Sequence, residues 1–174
     1  MGKLKGKIRL CKRIAGELLT AENRCVILYE ITFRRGIMNV NSVINHCLRL
    51  SRYGLENFAG ENFSKVYYYL GKIHPGEEVN QVLVSSIFTC IAADGKISES
   101  EWKFIASFVG GYTYDEAFRM AGSFYSASAQ SSVREVCGFL PTEILEAFLS
   151  LCIAVLAVDG KVEGSEISFL RSLL

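Results

Sequence analysis

The sequence predicts an all-α protein with an internal repeat, and three observations support this. A fourteen-residue stretch occurs twice, as IAADGKISESEWKF at 91–104 and as LAVDGKVEGSEISF at 156–169. Both copies follow a long apolar run, and apolar residues recur at helical spacing through most of the chain. Runs of alternating apolar and polar residues flanked by hairpin turns are not found. A repeated unit usually packs against its twin, so we expect the two copies to lie together in one domain.

The composition is that of a folded globular chain with segregated charge. Half of the 174 residues are apolar and only two are proline, which excludes a disordered chain. Residues 1–75 carry 13 Lys and Arg against 5 Asp and Glu, whereas residues 76–174 carry 6 against 13. The first part is therefore suited to anionic partners and the second to cations or basic partners. Solvated helix faces are the alternative explanation for these charges.

The cysteines and the apolar runs indicate a cytosolic protein. Six cysteines are scattered without a C-x-x-C pair, which argues for a reducing compartment and against a zinc cluster or a disulfide framework. A secretory signal is not visible at the N-terminus. The longest uncharged apolar run, 147–158, has 12 residues, whereas a spanning helix needs about 20. We therefore expect a soluble, cytoplasmic protein in which this run is a buried helix.

The first predicted helix, Met1 to Leu19, is amphipathic and basic. Six Lys and Arg precede its first acidic residue, Glu17, and its apolar residues recur at helical spacing. Such a helix can lie on an anionic membrane surface, or its apolar stripe can pack on its own domain. Aromatic and basic residues do not alternate here, so nucleic acid is not an expected partner.

The remaining helices of the first part end at glycines. A second helix is predicted from Ala21 to Arg35, with Thr20 as its N-cap and Gly36 just beyond it. A third runs from Val40 to Tyr53 and stops at Gly54, and the aromatic stretch Asn62 to Leu70 forms a fourth. Glycine, proline and the change of charge sign coincide at 71–76. This boundary predicts two regions, a basic N-terminal helical region at 1–75 and a helical domain at 76–174.

The second part contains six predicted helices. The first helix runs to Ala93, and the second runs from Ser98 to Val109. Capping boxes at Thr113/Glu116 and Ser132/Glu135 open the third and fourth. The fifth runs from Thr142 to Val158, and the last from Gly164 to Leu174. Asp94-Gly95 and Asp159-Gly160 end the first and fifth of these helices. The two repeats therefore each consist of a helix, an Asp-Gly turn and a second helix.

The two turns have a purely structural interpretation. Gly95 and Gly160 stand where a helix commonly ends in a left-handed conformation. Ser98 and Glu101 form a capping box for the next helix, which explains Glu101 without any ligand.

A bound cation is the alternative interpretation of the turns. Asp94 and Asp159 stand at helix C-termini, where the helix dipole opposes a carboxylate. In the second copy Glu163 replaces the capping serine, yet Glu166 is still present. Carboxylate and carbonyl oxygens are the ligands that Ca²⁺ and Mg²⁺ prefer, so the turns predict a divalent-cation site.

The two A-x-D-G-x-[IV]-x-x-x-E turns, 65 residues apart, resemble those of the tellurite-resistance TerB family and its TerB-like relatives. The resemblance covers about residues 76–174. It implies a compact helical bundle with an internal pseudo-twofold axis and a metal site formed by Asp94, Glu101, Asp159 and Glu166. It also implies a role in resistance to tellurite or other chemical stress, often near the membrane. A domain similar to those of the TerB family also occurs in DnaJ-type co-chaperones. This chain has no J-domain signature.

An enzyme is not expected, because the chain lacks a nucleophile–base pair, a phosphate-binding glycine loop and histidines at metal-ligand spacing. The first hypothesis is a TerB-like stress-response protein that binds a divalent cation of the Ca²⁺ or Mg²⁺ class through both turns. The alternative is a metal-independent helical adaptor, or a co-chaperone-like domain, that docks a basic protein. A protein partner is expected under both hypotheses, and residues 1–19 add a possible peripheral membrane contact.

Overall fold

The computed structural model describes residues 38–73, 77–108 and 113–174, which form an all-α bundle. These residues contain eight α-helices, two short 3₁₀ segments and no strand. The helices are α1 (Val40–Cys47), α2 (Arg52–Ile73), α3 (Glu77–Ile91), α4 (Glu99–Ala106), α5 (Tyr114–Phe124), α6 (Ala127–Phe139), α7 (Thr142–Leu156) and α8 (Gly164–Arg171). The 3₁₀ segments are Ala92–Asp94 and Ala157–Asp159. The predicted all-α class is confirmed.

The core is built around α7. Every residue of this helix from Ala147 to Leu156 is buried, as its uninterrupted apolar sequence predicts. The longest helix, α2, packs along α7 through buried residues that recur every three or four positions. Helix α3 also contacts α7, and α1 covers one side of it. The described part of region 1–75 therefore shares one core with residues 76–174, and the boundary between the two regions stays a prediction.

The two repeats adopt the same local conformation. We call residues 92–98 the first turn and residues 157–163 the second turn. Each consists of a 3₁₀ segment, a left-handed glycine and an extended residue that caps the following helix. The contacts between the repeats are reciprocal: α8, which follows the second turn, contacts the 3₁₀ segment of the first, and α4, which follows the first turn, contacts that of the second. The two turns therefore lie in one region of the bundle.

The predicted bounds of the third and fourth helices of the first part are wrong. The helix expected from Val40 to Tyr53 ends at Cys47, and α2 then starts at Arg52 and includes Gly54. The Ser51 hydroxyl accepts a hydrogen bond from the Gly54 N–H at 3.1 Å, so this glycine lies in the first turn of a helix and does not terminate one. Likewise, α2 begins ten residues before the predicted start at Asn62 and continues beyond Gly71 to Ile73.

Of the capping boxes predicted at Thr113/Glu116 and Ser132/Glu135, the first is confirmed and the second is wrong. The Thr113 N–H donates to Glu116 Oε2 at 2.9 Å, at the start of α5. Ser132, in contrast, lies in the middle of α6, where its buried hydroxyl donates to the Ser128 carbonyl. The N-cap of α6 is Ser126, whose hydroxyl accepts from the Ala129 N–H at 3.2 Å.

The helices predicted at Met1 to Leu19 and Ala21 to Arg35 lie outside the described residues. Among the helices that are described, none combines the length and apolar character needed to cross a membrane.

Candidate functional site

The first turn is closed by its own backbone. The Gly95 N–H donates to the Ala92 carbonyl at 2.9 Å, and Gly95 has a φ of +86°. This left-handed conformation is accessible to glycine without steric cost, which explains the glycine that follows Asp94. The chain then extends to Ser98, which caps α4.

Glu101 completes this turn with a capping box. Its Oε2 accepts a hydrogen bond from the Ser98 N–H at 2.7 Å, and the Ser98 hydroxyl accepts one from the Glu101 N–H at 3.1 Å. The Glu101 side chain is buried, since only 7% of the residue is exposed. A buried carboxylate needs hydrogen-bond donors, and the cap provides one. The predicted capping box is thereby confirmed.

The second turn repeats this geometry with a different capping residue. The Gly160 N–H donates to the Ala157 carbonyl at 3.0 Å, and Gly160 has a φ of +78°. Glu166 Oε2 accepts from the Glu163 N–H at 2.7 Å, and Glu166 is 5% exposed. Glu166 therefore has a capping role even though its partner at the N-cap position is not a serine.

Two exposed acids at and just after the turns, Glu163 and Glu99, are paired with lysines. Lys161 Nζ lies 2.7 Å from Glu163 Oε1, and this contact lowers the pKa of Glu163 and raises the pKa of Lys161. The Lys96 ammonium of the first turn also lowers the pKa of Glu163, in the second turn. On α4, Lys103 forms an ion pair with Glu99 at 2.7 Å. The surface around the turns is thus a mixture of both charges.

The four predicted metal ligands have different environments. Glu101 and Glu166 are buried and accept hydrogen bonds from the caps, whereas Asp159 is exposed on the second turn. The side chain of Asp94 is not among those that the structure describes. Within the described residues, no three His, Cys, Asp or Glu side chains are grouped so that they could hold a metal ion. The cation site on Asp94, Glu101, Asp159 and Glu166 stays a prediction.

An aromatic face borders the first turn. Phe118 on α5 and Tyr125, just beyond its end, are 56% and 50% exposed. Tyr114 connects Phe118 to α4, because its ring centroid lies 5.9 Å from that of Phe118 and 6.0 Å from that of Trp102. Helix α5 also contacts the 3₁₀ segment of the first turn. We call Trp102, Tyr114, Phe118 and Tyr125 the α5 aromatic face.

This face was not predicted from the sequence, although the sequence contains a signal for it. Ala117 and Phe124 are buried on the apolar stripe of α5. Phe118 and Tyr125 each stand one position after these residues, and are therefore rotated by about 100° off the stripe. Large aromatic residues displaced from a buried stripe toward polar neighbours indicate a contact surface.

One buried side-chain oxygen in the described residues has no hydrogen-bond partner. Ser86 Oγ, on α3, lines a small apolar cavity of about 10 Å³ between α2, α3, α6 and α7. This volume is at the lower limit for one water molecule and too small for an organic ligand. The cavity is therefore a packing defect that affects stability and not a substrate pocket.

Comparison with models of protein families, with curated proteins and with solved structures found no match to this chain.

Proposed function

We propose that this chain is a non-enzymatic, helical protein-interaction domain that docks a basic partner on the α5 aromatic face. The observation that carries the proposal is the exposure of both Phe118 and Tyr125, of which Tyr125 lies beside Gly95 of the first turn. Aromatic residues in clusters are the commonest energetic centres of protein interfaces. Trp102 packs on the core, and Tyr114 links its ring to that of Phe118, so these rings are held in place before a partner binds.

The charge distribution supports a basic partner. Residues 76–174 contain 13 Asp and Glu against 6 Lys and Arg. Asp115 and Glu116 open α5 and are both exposed, whereas Glu99 on neighbouring α4 is already paired with Lys103. A positively charged segment would be attracted to this part of the chain, and its apolar side chains would cover the aromatic rings. An amphipathic basic helix has both properties.

The experiment is an NMR titration of the ¹⁵N-labelled full chain with an amphipathic peptide of Leu and Lys at helical spacing. Amide shifts are expected on α5 and on the first turn. A matched peptide of Leu and Glu, with the same apolar stripe, should leave these signals unchanged. Equal shifts from both peptides would contradict the proposal, because contact would then depend on apolar surface alone.

Paired variants locate the docking surface. Phe118→Ala with Tyr125→Ala should weaken binding of the Leu-Lys peptide by about tenfold or more, as is usual for interface aromatics. Tyr53 and Tyr68 on α2 are 73% and 67% exposed and provide the control. Tyr53→Ala with Tyr68→Ala should bind the peptide as the unmodified chain does. A larger loss in the α2 pair would move the interface away from α5.

A TerB-like, cation-binding stress-response protein is the second candidate, and one observation favours it. Each turn contacts the helix that follows the other turn, so acidic residues of both repeats lie in one region. Asp159 is exposed there, and Glu101 and Glu166 each hold a cap N–H through Oε2. A Ca²⁺ or Mg²⁺ ion with several waters would take exposed carboxylates and turn carbonyls as ligands.

This candidate is tested by ion titration of the same labelled protein. Millimolar Ca²⁺ or Mg²⁺ should shift the Gly95 and Gly160 amides and raise the melting temperature. Asp94→Asn with Asp159→Asn should abolish both effects while the helical circular dichroism is retained. If neither ion changes the spectrum or the melting temperature, cation binding is excluded.

A peripheral membrane contact of residues 1–19 stays a separate prediction, since these residues lie outside the described ranges. Deletion of this segment should reduce co-sedimentation of the protein with anionic liposomes. Its co-sedimentation with neutral liposomes should not change. Unchanged co-sedimentation with anionic liposomes would exclude the contact. Cytoplasmic localisation, with or without membrane association, is proposed on the same sequence grounds.

A further inference from the structure

The two turns contain the same chemically reactive sequence in the same backbone conformation. Each contains Asp-Gly-Lys, at 94–96 and at 159–161. In each turn the glycine N–H donates to the carbonyl three residues earlier, at 2.9 Å in the first turn and 3.0 Å in the second. The φ angles of Gly95 and Gly160 are +86° and +78°. A difference in reactivity between the two Asp-Gly bonds must therefore come from what surrounds the turns.

The surroundings of the two turns differ. The Tyr125 ring lies 4.0 Å from the position of a Cβ on Gly95, and Ile97 of the same turn is only 2% exposed. Gly160 is exposed, and among the described residues no atom beyond its chain neighbours lies within 4 Å of its Cβ position. Val162, which corresponds to Ile97, is half-buried. A segment with fewer packing contacts opens locally more often, so the second turn opens more readily than the first.

We propose that the Asp159-Gly160 bond is a site of spontaneous isomerisation to isoaspartate, and that Tyr125 protects the Asp94-Gly95 bond from the same reaction. Both residues of the second pair are exposed. The modification needs no enzyme, cofactor or oxidant. The inference does not depend on which partner or ion the turns bind.

The reaction is an attack of a backbone amide on the side chain before it. The Gly160 nitrogen bonds to the side-chain carboxyl carbon of Asp159. A C–O bond of that carboxyl group breaks, and its hydroxyl leaves with the amide proton as water. Water then opens the resulting five-membered succinimide at its main-chain carbonyl, so that the chain continues through the side-chain carbon. One water is lost and one is regained, so the mass of the protein does not change.

The hydrogen bond of the turn opposes this attack. While the Gly160 N–H donates to the Ala157 carbonyl, its nitrogen is not free to bond to the carboxyl carbon. Once the turn opens, glycine favours the reaction because it has no Cβ to limit the rotation of the chain. The rate of isomerisation therefore follows the fraction of time for which each turn is open. The product has one additional backbone carbon, so the hydrogen-bonded ring of the turn does not form again with its original geometry.

The test is prolonged incubation of the full chain in neutral buffer at physiological temperature, with a parallel sample unfolded in guanidinium chloride. Digestion after glutamate releases residues 79–99 and 147–163, which contain one turn aspartate each. Chromatography separates the aspartate and isoaspartate forms of each peptide. Electron-transfer fragmentation identifies the isoaspartate form, because it gives fragment ions specific to that linkage.

In the folded protein, isoaspartate should accumulate about threefold or more faster at position 159 than at position 94. In guanidinium chloride the two positions should react at similar rates, since glycine and lysine follow both aspartates. Tyr125→Ala should raise the rate at position 94 and leave the rate at position 159 unchanged. Tyr125→Phe retains the ring and should change neither rate.

Equal rates at the two positions of the folded protein, or a faster reaction at position 94, would overturn the proposal. So would the absence of isoaspartate at position 159. A difference that persists in guanidinium chloride would show that the local sequence, and not the fold, sets the two rates. If Tyr125→Ala accelerates both positions alike, the ring stabilises the fold as a whole, and the protection assigned to it is refuted.

Discussion

The Tyr125 ring lies 4.0 Å from the position that a Cβ would take on Gly95, so this residue of the aromatic face lies beside the first turn. Among the described residues, no atom beyond the chain neighbours of Gly160 lies within 4 Å of the corresponding position there. The two turns share a backbone conformation but differ in what packs on them. A partner that binds the α5 aromatic face would therefore affect the first turn more than the second.

Both turn glycines should resist substitution because of their positive φ. Gly95→Ala and Gly160→Ala are each expected to lower the free energy of unfolding by about 1 to 2 kcal/mol, the cost of a left-handed conformation with a Cβ. Gly138→Ala is the control, since Gly138 lies in α6 with open space around its Cβ position. It should raise stability by about 0.5 to 1 kcal/mol. Urea denaturation measures the stability of all three variants. Equal changes in the free energy of unfolding for the turn glycines and for Gly138 would refute the role assigned to the turns.

The capping box of the first turn should contribute measurably to stability. Ser98→Ala removes the acceptor for the Glu101 N–H and should cost about 1 kcal/mol. Ser100→Ala, two residues further on and exposed, should change stability by less than about 0.5 kcal/mol. Chemical denaturation of the two variants side by side checks this. A negligible loss for Ser98→Ala would mean that α4 is held by packing alone.

The sequence predicted those features of the site that depend on local chemistry. Asp94-Gly95, Asp159-Gly160 and the Ser98/Glu101 box each act within a few residues, and the turns and helix ends form as expected. The helix start predicted at Ser132 is wrong because the hydroxyl of Ser126 caps the helix six residues earlier. The helix then continues past Ser132 without interruption. A pattern of residue types cannot decide between two such starts without the packing of the surrounding helices.

The relationship between the two turns could not be predicted from the sequence in this way. The repeat suggests that the copies pack together, but only the folded chain shows α4 on the second turn and α8 on the first. The structural role of Glu166 was also missed, because the N-cap residue was expected to provide a hydroxyl. The Glu166 carboxylate accepts this hydrogen bond from the backbone N–H of Glu163. Every residue except proline has such an N–H, so the N-cap residue does not need a hydroxyl.

The ion pair of the second turn predicts a pH dependence of stability. Since its hydrogen bond with Lys161 lowers the pKa of Glu163, this carboxylate stabilises the fold above its ordinary pKa. The contribution is lost as the pH falls through the lowered value. Lys161 has a raised pKa, so its contribution is lost only as the pH rises through that raised value. NMR titration of the Glu163 carboxyl should show its pKa rising in Lys161→Met, and an unchanged pKa would contradict the pairing.

Two buried serines on different helices should respond oppositely to removal of the hydroxyl. Ser86 Oγ has no hydrogen-bond partner, so Ser86→Ala should raise the free energy of unfolding by up to about 1 kcal/mol. Ser132 is equally buried but donates to the Ser128 carbonyl at 2.9 Å. Ser132→Ala should therefore cost about 0.5 to 1.5 kcal/mol. Thermal and urea unfolding of the two variants measure these changes in stability. If Ser86→Ala loses as much stability as Ser132→Ala, the Ser86 hydroxyl has a hydrogen-bond partner in solution.

The central claim is that Glu101 and Glu166 act as helix caps that close the turns, and that the α5 aromatic face beside the first turn binds a basic partner. Its most direct test is one NMR experiment on the labelled full chain, with millimolar Ca²⁺ and Mg²⁺ added first and the Leu-Lys peptide second. The claim predicts unchanged Gly95 and Gly160 amides with the ions, followed by saturable shifts around Phe118 and Tyr125 with the peptide. Saturable ion-induced shifts at both glycines that disappear in Glu101→Gln with Glu166→Gln, together with no response to the peptide, would contradict it.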